Sequence, residues 1–199
     1  MTIFGPDVDL AHAAYVHPSA QLHGCIRAEE GVSIWSNAVI RAEGHEVVLG
    51  PYSNVQDFVM IHVGYEGGTY VGAHTSLAHN CTVHGARIGE NCLVGIGAIV
   101  MDDCVVGDNT IIGSGALLLE GTEIPENSIV VGSPAKVIKT VNNWVANRLN
   151  AALYYRNAQF YQRGEYRAWH GPEYEKFLSD LTDRLNREFE ALRGESAAG

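Results

Sequence analysis

Stepping by six from Ile88 lands on Val94, Val100, Val106, Ile112, Leu118, Ile124 and Val130. An α-helix returns to the same face after three or four residues and a strand after two, so neither explains this period. An unbroken aliphatic repeat of six is the mark of a parallel β-helix built from hexapeptide repeats. Each repeat makes one short flat strand, three repeats close a triangular coil, and coils stack at about 4.8 Å, the strand-pairing distance. The aliphatic residue points into the prism. Four positions later come Cys92, Ala98, Cys104, Thr110, Ala116, Thr122, Ser128 and Pro134. Apart from the proline these are small enough for a tight corner, and Gly or Asn serves the turns.

Towards the N-terminus the register slips by one at Val83 and resumes at Leu77 and Val71. With insertions it continues through Ile61, Val55, Leu49, Ile40 and Ile34 to Leu22 and Val16. The pattern predicts a mainly β prism over residues 1–140. A helical appendage follows over 141–199, with one apolar stripe at Val141, Val145, Leu149 and Leu153. A second stripe runs through Phe177, Leu178, Leu181, Leu185, Phe189 and Leu192. The aromatic run Tyr154, Tyr155, Phe160, Tyr161 and Tyr166 reads as helix packing rather than a lid over a site. The tail "GESAAG" is expected to be disordered.

A net charge of −10 leaves no basic stripe for phosphates, which argues against a nucleic-acid partner. The opening "MTIFGPDVDLAHAAYVHPSA" has neither a basic start nor a long apolar core, so no signal peptide and no membrane span are expected. Cys25, Cys81, Cys92 and Cys104 lack CxxC spacing and suit a reducing, cytoplasmic setting; the last three fall on the small corner position and read as packing.

Counting three repeats returns to the same face one coil higher. By that count His62 and His84, each one residue after its aliphatic position, stack on one face above Arg41. His79, two residues after Leu77, lies on another face above Asp57. His79 is therefore not expected to reach His62 and His84 of its own chain. In a cyclic trimer, one face of each prism meets a different face of the next. The two columns then meet, with histidine opposite histidine and Arg41 opposite Asp57. The remaining histidines, His12, His17, His23, His45, His74 and His170, fall outside both columns and read as surface or linker residues.

The segments "IRAE", "SNVQDFVMIHV", "LAHNCTVHGARIG", "GIGAIV" and "GSPAK" resemble the γ-class carbonic anhydrase family of left-handed β-helix trimers, over roughly residues 10 to 140. The resemblance implies left-handed coiling, which the period alone does not show. It implies a homotrimer in which His62 and His84 of one subunit and His79 of the next bind zinc, with Fe2+ or Co2+ as other metals the site could take. It also implies an intersubunit pair between Arg41 and Asp57, with Gln56 near the metal-bound solvent. The implied reaction is reversible hydration of carbon dioxide to bicarbonate by zinc-bound hydroxide. Three neutral imidazoles leave zinc an open position, and such an ion lowers the pKa of bound water to about 7.

Two features depart from the family pattern. Its Arg-x-Asp motif is here Arg41-Ala42-Glu43, one methylene longer. Its acidic loop after the first ligand is here "GYEGGTY", where Glu66 is the sole carboxylate. Glu66 and Glu43 are the candidate proton carriers, and hydration is expected to be slow. Two other readings stand beside this one. The first is a hexapeptide acyltransferase or acyl-CoA thioesterase acting on a coenzyme A thioester, the transferase with His79 or His84 as general base. The second is a non-catalytic trimeric scaffold.

Overall fold

The computed structural model describes residues 4–196. The chain is a left-handed parallel β-helix of about seven turns followed by two α-helices. This winding is the exception to the usual right-handed crossover between parallel strands. Three columns of paired residues define the prism. The first face stacks Leu22, Ile40, Ile61, Val83, Val100 and Leu118. The second stacks Ala28, Leu49, Val71, Ile88, Val106 and Ile124. The third stacks Val16, Ile34, Val55, Leu77, Val94, Ile112 and Val130. All of these side chains are buried except Val16, which is half-buried. Burying one Val, Leu or Ile contributes roughly 1.5–3 kcal/mol, so the repeat is itself the core.

Ala28 fills the place between Leu22 and Ile34 where no large aliphatic residue marks the repeat. The prism also begins earlier than Val16. A strand at Val8–Asp9 pairs with Gln21–Ala28, and Phe4 bridges to Leu22, closing the lower end. At the upper end Ala135–Thr140 turns back antiparallel onto Ser128–Gly132, which covers the last open edge of the third face. Cys81, Cys92 and Cys104 are buried at the small corner positions, and burial pushes the Cys81 and Cys92 thiols up to about 12.

Helix α1 (Trp144–Gln162) lies along the third face, and α2 (Pro172–Ser196) packs on α1. The buried residues of α1 are Asn147, Ala151, Tyr154 and Ala158, rather than the Val145, Leu149 and Leu153 stripe expected from the sequence. Two alanines let the helix approach the sheet closely. Asn147 fixes it by donating to the carbonyls of Asn91 (2.8 Å) and Thr110 (3.4 Å). Tyr154 and Tyr161 pack edge-on against Trp35, and Tyr161 also packs against Tyr15. In α2 Leu181 and Leu185 are buried, as its stripe predicts, whereas Leu192 is exposed. The start of the "GESAAG" tail continues α2 to Ser196, correcting the expectation of disorder there; residues 197–199 lie outside the described residues. Among the described residues, no helix is long and apolar enough to cross a membrane.

Candidate functional site

The ladder pairs Arg41 with His62 and His62 with His84, so the first column forms as the coil count requires. The imidazoles of His62 and His84 stand 4.9 Å apart between ring centres, and His62 Nδ1 faces His84 Nε2 at 2.9 Å. Each ring has a carboxylate behind it. His84 Nδ1 lies 2.9 Å from Asp102, and His62 Nε2 lies 3.1 Å from Glu43 Oε2.

The two carboxylates favour one arrangement of the protons. A carboxylate accepts and does not donate when ionised, so the outward nitrogen of each ring carries its hydrogen. With both rings neutral, two lone pairs then face each other at 2.9 Å. A metal ion between them relieves that repulsion, as does a hydrogen on one of the two inner nitrogens. Two imidazole nitrogens on one tetrahedral zinc, at Zn–N distances of about 2.0–2.1 Å, stand about 3.3 Å apart. To hold that ion the rings would part by a few tenths of an ångström and turn so that both lone pairs point at it.

Asp102 was not anticipated from the sequence. It lies two residues after Val100, whereas the histidines lie one residue after their aliphatic positions. The register slip after Val83 brings it into place. Gly85 turns the chain early, with φ +56°, and a Cβ there would meet Asp102 Oδ1 at 2.5 Å. A Cβ on Gly64, one coil below, would meet the same oxygen at 2.6 Å. Two stacked glycines thus clear the space through which Asp102 reaches His84. The signal in the sequence was the pair "IHVG" and "VHG", a glycine closely following each histidine.

His79 sits at the far corner of the third face, in a second cluster. Its Nδ1 lies 3.1 Å from Asp57 Oδ2, which leaves Nε2 as the acceptor. Tyr154 on α1 places its hydroxyl 3.3 Å from that Nε2. Burial pushes the Tyr154 phenol up, so it keeps its proton and donates. Gln56 is buried beside His79. Its Nε2 donates to Asn54 Oδ1 at 3.0 Å, and its Oε1 accepts from the His79 backbone N–H at 3.3 Å. No group of three metal-ligating side chains converges among the described residues.

Arg41 donates to Glu43 Oε1 at 2.6 Å. Desolvation works the other way, but the Glu43 backbone N–H, Arg41 and His62 together hold the Glu43 carboxyl below the usual carboxylate range. Glu43 is thus occupied by two partners and is poorly placed to carry protons. Glu66 is exposed in the Gly64–Gly68 excursion, which is held by Gly64 N–H donating to the Gly67 carbonyl at 2.9 Å and by His45 Nε2 at 3.1 Å from the Tyr65 carbonyl. His45 therefore has a partner, as does His17, whose Nδ1 lies 2.8 Å from Ser19 Oγ. His74 is not a free surface residue either: it stacks on Tyr52 with ring centres 5.2 Å apart.

A model described as bacterial transferase hexapeptide (six repeats) matches residues 85–120. A Methanocaldococcus jannaschii protein named as a probable carbonic anhydrase is 44% identical over 107 residues, which are 54% of this chain and 67% of that protein. The mitochondrial gamma carbonic anhydrase 2 of Arabidopsis thaliana is 26% identical over 98% of this chain and 73% of its own length. The chain belongs to the γ-class carbonic anhydrase-like family of hexapeptide-repeat proteins. A solved hexapeptide transferase family protein from Anaplasma phagocytophilum superposes with a TM-score of 0.67 at 26% identity, covering 79% of this chain and 91% of its own. This member of the carbonic anhydrase-like family thus also shares its prism with a transferase family protein.

Proposed function

We propose that the protein is a zinc-dependent carbonic anhydrase-type hydratase, working as a homotrimer whose sites lie between subunits. The observation that carries the proposal is the 2.9 Å approach of His62 Nδ1 to His84 Nε2, each ring backed by a carboxylate. His79 of an adjacent subunit is the third donor, because it sits on another face with Nε2 directed away from Asp57. A divalent metal held by these three nitrogens supplies Lewis acidity that activates water near neutral pH. Asp102 and Glu43 hold the protons on the outer nitrogens of His84 and His62, which keeps the inner lone pairs available. Asp57 does the same for His79. The Tyr154 hydroxyl occupies His79 Nε2 in the single chain and must release it when that nitrogen becomes a ligand. Gln56, fixed by Asn54 and the His79 backbone, orients solvent or substrate at the interface. Arg41 pairs with Asp57 across that interface in place of its contact with Glu43.

Turnover is slow in this proposal. Glu43 backs His62 in this assembly, so Glu66, on a glycine-rich excursion, is the carboxylate left to pass protons to buffer. The test is elemental analysis of the purified protein, beside stopped-flow hydration of carbon dioxide at low and high imidazole buffer. Bound zinc with a slow, buffer-accelerated rate is the expected result. Trimers mixed from His79→Ala and His62→Ala subunits should regain part of the metal that each variant loses alone. Absence of metal from the wild-type protein, or no recovery in verified mixed trimers, refutes the shared site. The structural likeness to a transferase family protein favours a second reading, a coenzyme A thioester chemistry with His79, backed by Asp57, as general base. Activity that survives complete removal of metal would decide for it.

A further inference from the structure

The corner between the second and third faces breaks its own rule at two levels. Residues three after each aliphatic position of the second face adopt left-handed backbone: Gly31, Tyr52, His74, Asn91, Asn109 and Asn127. Glycine and asparagine tolerate that conformation, whereas bulky side chains are strained in it, at roughly 1–2 kcal/mol each. Asn91, Asn109 and Asn127 fill the upper levels, and Asn91 donates to Asn109 at 2.9 Å. Tyr52 and His74 replace them at adjacent coils, with φ of 57° and 55°. Their rings stack nearly parallel, 8° apart, and Tyr155 packs edge-on against Tyr52 at 5.1 Å.

Those two strained residues line a cavity of about 390 Å³ between the prism, α1 and α2. That size falls within the usual range for a small-molecule site. Trp144, Tyr155 and Leu185 supply apolar walls. Arg148 supplies a charge: its Nε is buried with no hydrogen-bond partner, and its guanidinium lies 4.9 Å from the Trp144 ring centre. No ion pair to Arg148 occurs among the described residues. Arg184 and Glu188, at the rim, pair with each other at 3.5 Å. Glu90 and Glu188 act on Arg148 only from beyond ion-pair distance, so the cavity presents its guanidinium, free of a direct partner, beside flat aromatic surfaces.

We propose that this cavity binds a planar aromatic monocarboxylate. Its carboxylate would meet the unpartnered Arg148 guanidinium, a geometry Arg favours. Its ring would lie among Tyr52, His74, Tyr155 and Trp144. The site is separate from the His62, His79 and His84 cluster, because α1 lies between them: Tyr154 reaches His79 on one side and the next residue, Tyr155, reaches Tyr52 on the other. The inference does not depend on the metal reading.

Isothermal titration of the full-length protein with 2-naphthoate, and with its neutral isostere 2-naphthamide, tests this. One 2-naphthoate per chain is expected, with 2-naphthamide weaker by roughly tenfold to a hundredfold, the worth of a charge-assisted hydrogen bond. Arg148→Met should weaken 2-naphthoate by the same factor and leave 2-naphthamide unchanged. His74→Asn restores the residue carried by the upper corners, so it should fold, and it should weaken both ligands by removing one ring. The proposal is overturned if 2-naphthoate does not bind, if the amide binds equally well, or if both variants bind 2-naphthoate as the wild type does.

Discussion

His74 makes folding sensitive to mild acid, and the size of the effect follows from its surroundings. Burial at the corner, then the nearby Arg148 cation, lower its pKa from 6.5 to about 4. The unfolded chain therefore takes up a proton at this residue before the folded chain does. The folded state has its full advantage above about pH 6.5 and loses it as the pH falls through the window down to about 4. Integrating proton uptake over that window, the folded protein should lose roughly 2 kcal/mol between pH 7 and pH 5 from this one residue. For a chain of this length each kcal/mol shifts the melting temperature by about 2–4 °C, so the loss is roughly 4–8 °C. His74→Asn removes the ionisable ring and keeps a residue suited to φ 55°. Melting curves at pH 7 and pH 5, recorded with a metal chelator so that the other histidines titrate alike in both proteins, give the comparison. The variant should lose several degrees less than the wild type on acidification. Equal losses in the two proteins would refute the argument that His74 is kept neutral by its burial.

Two further outcomes concern the proposed metal site. Asp102→Asn removes the charge behind His84 while keeping the shape that fits over Gly64 and Gly85, and should lower zinc affinity by about 10–100-fold in a chelator competition; unchanged affinity would show that Asp102 does not set the His84 tautomer. Tyr154→Phe removes the hydroxyl that engages His79 Nε2 and should raise zinc affinity by roughly fivefold, the worth of one neutral hydrogen bond, with no change in affinity counting against that competition.

The sequence revealed the prism and its columns because both follow from one rule. Every inward residue is aliphatic, every third repeat returns to the same face, and backbone pairing then places neighbours at a fixed spacing. Arg41, His62 and His84, and Asp57 beneath His79, could be placed by counting alone. What escaped counting lay where the rule is broken or does not apply. Asp102 reaches His84 only because the repeat is one residue short at Gly85, so its offset from Val100 differs from that of the histidines from their own aliphatic neighbours. Ala28 fills an aliphatic position with a residue that carries no periodic signal. Helix α1 docks through Asn147, Ala151, Tyr154 and Ala158, a face that periodicity ranks below the Val145, Leu149 and Leu153 stripe. Close approach to a flat sheet favours small residues, and two asparagines, Asn91 and Asn147, bond across the contact, so hydrophobicity alone selected the wrong side. That choice of face puts Tyr154 against His79 and Tyr155 beside Tyr52 and His74. The helix thereby links two corners of the prism that no repeat count would connect, and two of the departures from the hexapeptide rule, the early turn at Gly85 and the strained aromatic corner, lie beside a cluster of chemically useful side chains.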